Sequence, residues 1–523
     1  MTADFQGRSL HSDGSGALFQ SLNAASPGVH PAGDLEIART STDRARLSRQ
    51  ARAGRAVQLA PGIYAVGATL RPEAAARHHL FAIVAHVWPA AVICDRSALA
   101  GGQPVDGYLF ICHPEPPRAT ELRLPGTTVV PRVGPAPLPG DMPMPNGLFV
   151  SGPVRQLVEN IPARGRPGNP PRLAGLGAVE DTIEEQARSG GGGKITQMVQ
   201  GLEVLRGSFS EGSVEKVRQR LAALVGTAMD DVPVSGRYAA RLEGQPYDQQ
   251  RLDLVGGLVE TLRSTPPAPR PALGDPKRWE WEPFFEAYFS NFIEGTEFGV
   301  EEARQIAVEG VESYDRPQDA HDISATYKLV SDPQLATAVP RSGGELVELL
   351  RSHHATLMAA RPDQNPGLFK TRSNVAGGYE FVSPQAVEGT LRHGFDLLNG
   401  GLTDPFQRAL AVMLLLTEVH PFDDGNGRIA RILANAELAH AGQVRIVIPT
   451  SYRNDYLAGL NGVSNRAGQG QTLIAVLDFA QRWTASLDWS TYEIAHEQLT
   501  YANAYVDPGI TERSGQRLRL PAR

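Results

Sequence analysis

A histidine and a carboxylate stand four residues apart in this 523-residue chain, directly after a long apolar stretch. The imidazole of His420 can accept a proton from an attacking hydroxyl, since its unperturbed pKa lies near neutrality. Asp424 offers a hard oxygen ligand of the kind that Mg²⁺ prefers beside phosphate oxygens. If the substrate is a nucleoside triphosphate, the two residues can therefore serve as general base and magnesium ligand.

The residues that follow are suited to holding phosphate. Gly425 and Gly427 allow left-handed backbone angles and let the main chain come close to a ligand. A helix that starts here adds unpaired N–H groups and the positive end of its dipole. Arg428 and Arg431, three residues apart, share one helical face and can bind phosphate oxygens bidentately. The alternative is a plain loop whose glycines only turn the chain before a helix.

The segment His420-Pro421-Phe422-Asp423-Asp424-Gly425-Asn426-Gly427-Arg428-Ile429-Ala430-Arg431 resembles the signature of the Fic (Fido) family, His-Pro-Phe-x-Asp/Glu-Gly-Asn-Gly-Arg-x-x-Arg. The resemblance implies an all-helical bundle with one small hairpin, and a protein adenylyltransferase that moves AMP from ATP to a Ser, Thr or Tyr hydroxyl. It implies His420 as the base, Asp424 as the Mg²⁺ ligand, and ATP binding by Phe422, Gly425, Asn426, Gly427, Arg428, Arg431 and Tyr456. For Tyr456 and the nearby Tyr452, core packing is the alternative.

A second segment resembles the inhibitory motif of many Fic proteins, Ser/Thr-x-x-x-Glu-Gly/Asn. Ser290 and Glu294 lie four residues apart at the edge of an apolar helical stripe, and Gly295 is suited to end that helix. The resemblance implies that Glu294 pairs with Arg431 and removes it from the γ-phosphate of ATP, so that the resting enzyme is autoinhibited. A surface carboxylate near a helix end is the alternative.

A β-hairpin is predicted by two short β-prone runs around Gly377 and Gly378. In the Fic family such a hairpin is a flap, and its exposed edge can add a strand of the target protein beside the base. This resemblance implies that the target docks on Asn374, Val375, Gly377 and Gly378. An ordinary surface hairpin is the alternative.

Near the N-terminus, a helix over 42–54, capped by Ser41 or Thr42, and two short strands over 55–59 and 63–66 are typical of the second half of a winged helix. Six arginines lie between Arg39 and Arg55 against one acid, Asp43. This excess predicts DNA contacts, and a solvated helix face is the alternative. The candidate DNA-binding residues are Arg44, Arg46, Arg49 and Arg52.

Residues 54–64, 79–99, 147–153 and 155–160 resemble the winged helix and following domain of abortive-infection-type antitoxin regulators. We therefore predict a multidomain chain in which an α+β winged helix and an α/β region precede the all-α Fic bundle with its hairpin flap. The predicted parts are a winged helix over 1–75, an antitoxin-regulator-like α/β region over 76–162, a linker and helical region over 163–270, a Fic domain with its inhibitory helix over 271–490, and a tail over 491–523. The glycine-rich stretch 189–196 lacks a P-loop pattern and predicts a flexible loop.

The bulk composition sets the remaining expectations. The net charge is −7 and the sequence contains two cysteines, which excludes a disulfide framework and favours a reducing compartment. No signal peptide is evident, and the most hydrophobic run, 80–94, is too short to span a membrane. We expect a cytoplasmic protein without membrane contact. Its expected partners are ATP and a target protein or itself, with DNA and a homo-oligomer as further candidates.

Two other functions stay open at this point. One is a DNA-binding transcriptional regulator whose Fic domain senses a ligand or modifies the protein itself. The other is a different Fic chemistry, such as UMP or phosphocholine transfer or AMP removal.

Overall fold

A computed structural model describes residues 31–115, 121–161, 170–227, 229, 231–376, 378–465 and 470–520. The chain divides into two compact units, Met1–Ser235 and Gly236–Arg523. The first is an α/β unit and the second is helical. Among the described residues, no helix combines the length and the apolar character needed to cross a membrane.

The elements of the N-terminal unit are β1 (Asp34–Ile37), α1 (Ser41–Arg52), β2 (Ala56–Ala60), β3 (Ile63–Val66), α2 (Pro72–Val87), β4 (Val92–Ile93), α3 (Asp95–Leu99), β5 (Tyr108–His113), β6 (Leu122–Leu124), β7 (Thr127–Val133), β8 (Met142–Pro143), β9 (Phe149–Val150), α4 (Pro153–Glu159), α5 (Leu176–Glu203) and α6 (Glu211–Ala223). The strands form two sheets, a three-stranded one in the order β1-β3-β2 and a six-stranded one in the order β6-β7-β5-β4-β9-β8.

The first helix and hairpin lie where the sequence predicts them. The cap of α1 is Thr40, which forms a capping box with Asp43, and not Ser41 or Thr42. Thr40 occupies the capping position because its side chain reaches the N–H of Asp43, the third helical residue. Strands β2 and β3 pair antiparallel, as expected for the hairpin. The winged-helix assignment itself stays a prediction.

The prediction of a linker and a flexible loop between 163 and 196 is wrong from residue 176 onward. Helix α5 runs through the glycine-rich stretch, with a single non-helical residue at Gly191 (φ 60°, ψ −166°). Apolar side chains before and after this kink are buried, namely Val179, Ile183, Ala187, Ile195, Met198 and Leu202. Their helical spacing buries one face, and this burial outweighs the low helix propensity of the glycines.

The helical unit contains α7 (Gly236–Leu242), α8 (Gln249–Ser264), α9 (Glu282–Ile293), α10 (Val300–Ala307), α11 (Pro317–Ser331), α12 (Pro333–Ala336), α13 (Gly343–Leu357), β10 (Val375–Ala376), β11 (Tyr379–Glu380), α14 (Val387–Gly401), α15 (Pro405–Val419), α16 (Asn426–His440), α17 (Arg453–Asn465), α18 (Gln471–Ser486), α19 (Tyr492–Tyr501) and α20 (Pro508–Ser514). Its central core is built around α14, α15 and α16.

The compact helical unit extends beyond both predicted boundaries of the Fic bundle, which stay a prediction. Helix α8 contributes Val255 and Leu258 to the central core, so the compact unit begins at Gly236 and not at residue 271. At the other end, Ala495 and Leu499 of α19 are buried in an aromatic cluster with Trp483. Residues 492–501 are therefore part of the unit, because their apolar face fills its second core.

Candidate functional site

The site is built on the loop that joins α15 to α16. Helix α15 is buried over most of its surface and ends at His420, which adopts left-handed backbone angles (φ 50°, ψ 62°). The next helix begins after Gly425, which is also left-handed (φ 77°). Two left-handed residues reverse the chain within a few positions. The loop thereby places the imidazole beside the N-terminus of α16.

Two of the predicted ATP-binding residues, Phe422 and Asn426, stabilise this loop from within. The side-chain amide of Asn426 accepts a hydrogen bond from the N–H of Phe422 and donates one to its carbonyl, each at 2.9 Å. Phe422 is fully buried, and Asn426 is 3% exposed. Since both side chains are buried, they hold the loop in shape.

His354, on α13, contacts the loop, although no spacing in the sequence indicates this. Its Nδ1 accepts the N–H of Gly367 at 2.9 Å, so its Nε2 must carry the proton and donate to the carbonyl of Asp424 at 3.1 Å. Its ring stacks on Phe422 with centroids 3.7 Å apart. Burial lowers the pKa of His354 to about 4, which agrees with this neutral tautomer.

His420 is neutral as well. Burial and the nearby positive charge of Lys370 lower the pKa of its imidazole to about 4. The ring stacks on Phe381 with centroids 4.0 Å apart. A neutral imidazole near pH 7 has a free lone pair, so the group is in the protonation state that a general base requires.

The two arginines of the loop have different partners. Arg428 is buried and forms an ion pair with the buried Asp322 at 2.8 Å, so it holds α16 against α11. Arg431 donates to Glu294 Oε1 at 2.7 Å. It also donates to the hydroxyl and the carbonyl of Ser290 at 3.0 and 2.9 Å.

Glu294 lies over the N-terminus of α16. A β-carbon at Gly427 would lie only 2.2 Å from Glu294 Oε1, so the absence of a side chain at that position lets the carboxylate approach. The first N–H groups of a helix have no intrahelical acceptor, and together with the helix dipole they attract anions. The carboxylate therefore lies where a phosphate would be stabilised. Ser290 contacts Arg431, although the sequence pattern predicts it only beside Glu294.

Tyr456 is 1% exposed and belongs to the central core. Its ring lies 6.0 Å from the guanidinium carbon of Arg431. Tyr452 is partly buried and packs against the ring of Phe479 at 5.3 Å. Core packing, the alternative considered for both tyrosines, describes their positions in this structure.

Asp424 meets a simple test as a cation ligand. Its side chain is 49% exposed, and Oδ1 accepts the N–H of Gly425 at 2.6 Å. Oδ2 lies 3.8 Å from Arg428, beyond hydrogen-bond distance. A half-exposed carboxylate with an oxygen available, next to an anion-binding helix terminus, fits a hard divalent cation shared with phosphate oxygens.

A two-stranded hairpin lies at the predicted flap, with Val375 opposite Glu380 and Ala376 opposite Tyr379. Val375 is 61% exposed. Asn374, expected to dock a target, donates instead to the carbonyl of Phe422 at 3.0 Å. Gly378 is left-handed with φ 84°, and the predicted docking residue Gly377 lies outside the described residues.

The four candidate DNA-binding arginines belong to the other unit and line the exposed face of α1. Arg46 forms an ion pair with Glu36, and Arg49 donates to the carbonyl of Ala45 at 3.3 Å. Their exposure fits both a DNA contact and a solvated helix face.

Residues 346–438 match the model of the Fic/DOC family. This range covers α13 through most of α16, with the hairpin and the loop between them. The helical unit thus contains a segment that matches the Fic/DOC family. The loop, its two arginines, His354 and the hairpin lie within the matched range. Site residues outside this range are Ser290, Glu294, Asp322, Tyr452 and Tyr456.

The chain is also similar to curated proteins and to solved structures. The chain is 35% identical over 117 residues, 22% of its own length, to protein adenylyltransferase fic-1 of Caenorhabditis elegans. It is 27% identical over 244 residues, 45% of its length, to protein adenylyltransferase Fic of Aedes aegypti. These matches span 23% and 48% of the two relatives. A solved fragment of Fic-1 from Caenorhabditis elegans is 19% identical, with a TM-score of 0.34, and the match covers 59% of this chain and 86% of that chain.

Proposed function

We propose that this chain is a protein adenylyltransferase that transfers AMP from ATP to a Ser, Thr or Tyr hydroxyl of a protein. The observation that carries the proposal is the juxtaposition, on one loop, of a neutral imidazole and an anion-binding helix terminus. Two curated relatives of this chain are named as protein adenylyltransferases. Because they are matched over a fraction of their lengths, the activity of the whole chain rests on this site.

The chemistry follows from the geometry. The triphosphate of ATP would lie along 425–431, against the N-terminus of α16. His420 would take the proton of the target hydroxyl, whose oxygen attacks the α-phosphorus. The new O–P bond forms as the bond to the β-phosphate breaks, and pyrophosphate leaves. Catalysis would come mainly from positioning and from neutralisation of phosphate charge.

Asp424 would hold Mg²⁺, which neutralises charge on the phosphate oxygens when it is bound. Asp424→Ala should then require more Mg²⁺ for the same rate. A Mg²⁺ titration that is identical for variant and wild type would remove Asp424 from this role.

We propose that Glu294 inhibits the resting enzyme. Its carboxylate covers the N-terminus of α16 and neutralises Arg431, so it competes with a phosphate for the same positive groups. Glu294 is the residue at the C-terminal end of α9, where the backbone is less constrained than within the helix. A short movement of this end would expose Arg431 to the γ-phosphate.

The target would dock on the hairpin. The exposed edge at Val375 can pair with an extended segment of another protein, or with a segment of a second copy of this chain, by strand addition. This would bring a side-chain hydroxyl beside His420.

The test is transfer of label from α-³²P-ATP to protein. His420→Ala should lose about 10²–10⁴ of the rate, because general-base catalysis is removed. His440→Ala, at the exposed far end of α16, is the matched control and should label like wild type. Transfer by a folded His420→Ala protein at the wild-type rate would refute the proposal. The same assay with labelled UTP separates AMP transfer from UMP transfer.

A second candidate function is DNA binding by the N-terminal unit, which is favoured by the exposed arginines of α1. Backbone phosphate contacts give an affinity that falls steeply with salt. A gel shift of the full chain at low and at physiological salt tests this function. A variant with Arg44→Gln and Arg49→Gln should bind DNA more weakly, and its affinity should depend less on salt. Equal binding by variant and wild type would mean that these arginines of α1 only face solvent.

A further inference from the structure

Lys370 lies in the segment that leads into the hairpin and packs against the loop that joins α15 to α16. The residue is 2% exposed. Its backbone N–H donates to the carbonyl of Pro421 at 2.9 Å. Its ammonium donates to the side-chain oxygen of Asn374 at 2.6 Å and approaches the carbonyl of Val419 at 3.4 Å. Lys370 thus binds the main chain on both sides of His420.

Asn374 completes this arrangement, because it donates to the carbonyl of Phe422 at 3.0 Å while it accepts from Lys370. Carbonyls at Val419, Pro421 and Phe422 are therefore all held from the same segment. His420, between them, has left-handed angles that are unfavourable for a non-glycine residue. Such a conformation persists only where its surroundings impose it.

Several groups face the imidazole of His420 from the elements packed around it. Glu294 at the end of α9 and Asp424 of the same loop are negative, the backbone of Thr417 is a hydrogen-bond partner, and Lys370 is positive. Phe381 covers one face of the ring. Burial lowers the pKa of Lys370 to about 8, so its ammonium is still mostly charged at pH 7. A cation close to the imidazole disfavours the imidazolium.

We propose that Lys370 is a positioning residue for His420, which holds the left-handed loop by hydrogen bonds to its carbonyls and keeps the imidazole neutral through its charge. The consequence for catalysis rests on the proposed function of His420 as the base. The effect on the imidazole itself does not.

The experiment titrates His420 by NMR in the full chain, with its resonance assigned from His420→Ala. Lys370→Gln keeps a hydrogen-bond donor but removes the charge, and Lys370→Met removes both. In each of these variants the pKa of His420 should rise by about one unit. Lys370→Arg should keep it low. Lys277→Met, at an exposed position, is the matched control and should leave it unchanged.

Transfer of label is the second measurement. Lys370→Met should lower kcat by about a hundredfold, as expected for a misplaced reacting group, and Lys370→Gln should retain more of it. A His420 pKa in folded Lys370→Gln equal to that of wild type overturns the proposal, whatever happens to the rate. If neither wild type nor Glu294→Gly transfers nucleotide, the proposed function fails, while the titration still tests the role of Lys370.

Discussion

The two units each contain a cluster of oppositely charged side chains. The clusters differ in how completely the paired side chains are buried from solvent. In the N-terminal unit the charged groups are Arg132, Arg155, Arg172, Asp95, Asp141 and Glu159. In the helical unit they are Arg428, Arg431, Asp322 and Glu294.

The N-terminal cluster is closed. Arg155 pairs with Asp141 and Glu159, and all three side chains are at most 1% exposed. Glu159 also accepts from Arg132 at 3.0 Å and from Ser151 at 2.6 Å. Cys94, Cys112 and Glu159 lie close enough together to suggest a metal site, but the carboxylate oxygens of Glu159 are already occupied. This cluster is a scaffold.

The helical cluster is open on one side. Arg431 is 7% exposed, whereas its partner Glu294 is 31% exposed. An incoming phosphate can take the place of the exposed carboxylate, while the buried arginine is held by Ser290 in either case. The difference indicates that the Arg431–Glu294 pair, whose carboxylate is partly exposed, can be opened by a ligand, whereas the fully buried pairs of Arg155 stabilise the fold.

Breaking the closed cluster should give the largest effect on stability. Arg155→Met leaves Asp141 and Glu159 buried without this partner, which costs about 3–5 kcal/mol. Hydrogen exchange of β5 and β7, read by mass spectrometry, should show a matching loss of protection. Arg123→Met, whose side chain is 81% exposed, should change exchange very little, and equal protection in both variants would contradict the distinction.

Removing the Arg431–Glu294 ion pair should change the activity much more than the stability. Glu294→Gly frees Arg431 for the γ-phosphate and should raise self-labelling on the order of a hundredfold, since correct alignment alone is worth that much. The free energy of unfolding should fall by less than about 1 kcal/mol, because the lost partner is partly exposed. The control is Glu297→Gln, an exposed acid three residues away. Equal labelling of wild type and Glu294→Gly would exclude inhibition.

The neutral histidine beside the open cluster should make stability depend on pH. The pKa of His354 is about 4 in the fold and about 6.5 in an unfolded chain. Between these values the unfolded state binds the extra proton, so stability is lost as pH falls from 6.5 toward 4, by up to about 1.4 kcal/mol per pH unit. Urea unfolding at several pH values should show a smaller slope for His354→Gln, and an unchanged slope would assign the acid sensitivity elsewhere.

The smallest effect is expected at Ser290. Its hydroxyl accepts a hydrogen bond from Arg431, and loss of one such bond is worth about 1 kcal/mol. Ser290→Ala should therefore raise self-labelling only by about fivefold, in the same direction as Glu294→Gly. Ser352→Ala, at an exposed position of α13, should have no effect. An increase as large as that of Glu294→Gly would mean that Ser290, and not the carboxylate, holds Arg431.

Local patterns in the sequence predicted much of the site. The apolar run of α15, followed by a histidine and two glycines, predicted a helix, a tight loop and a second helix because each signal acts within a few residues. The hairpin around Gly378 and the end of α9 at Glu294 were predicted for the same reason. Local patterns could not predict the pair of Glu294 and Arg431, because it joins two distant segments. The family resemblance predicted it.

Other features depend on contacts between segments that are far apart in the chain. No spacing in the sequence marks Asp322, His354 or Lys370 as partners of the loop. In the fold, Asp322 of α11 contacts Arg428, and His354 of α13 contacts Asp424. Lys370, which precedes the hairpin, contacts Val419. The helix across Gly191 forms because tertiary burial outweighs local propensity. Residue types and short spacings established the chemistry available to this chain. Packing decided which charges are closed into a scaffold and which stay open to a ligand, because burial and the choice of partner are properties of the folded state alone.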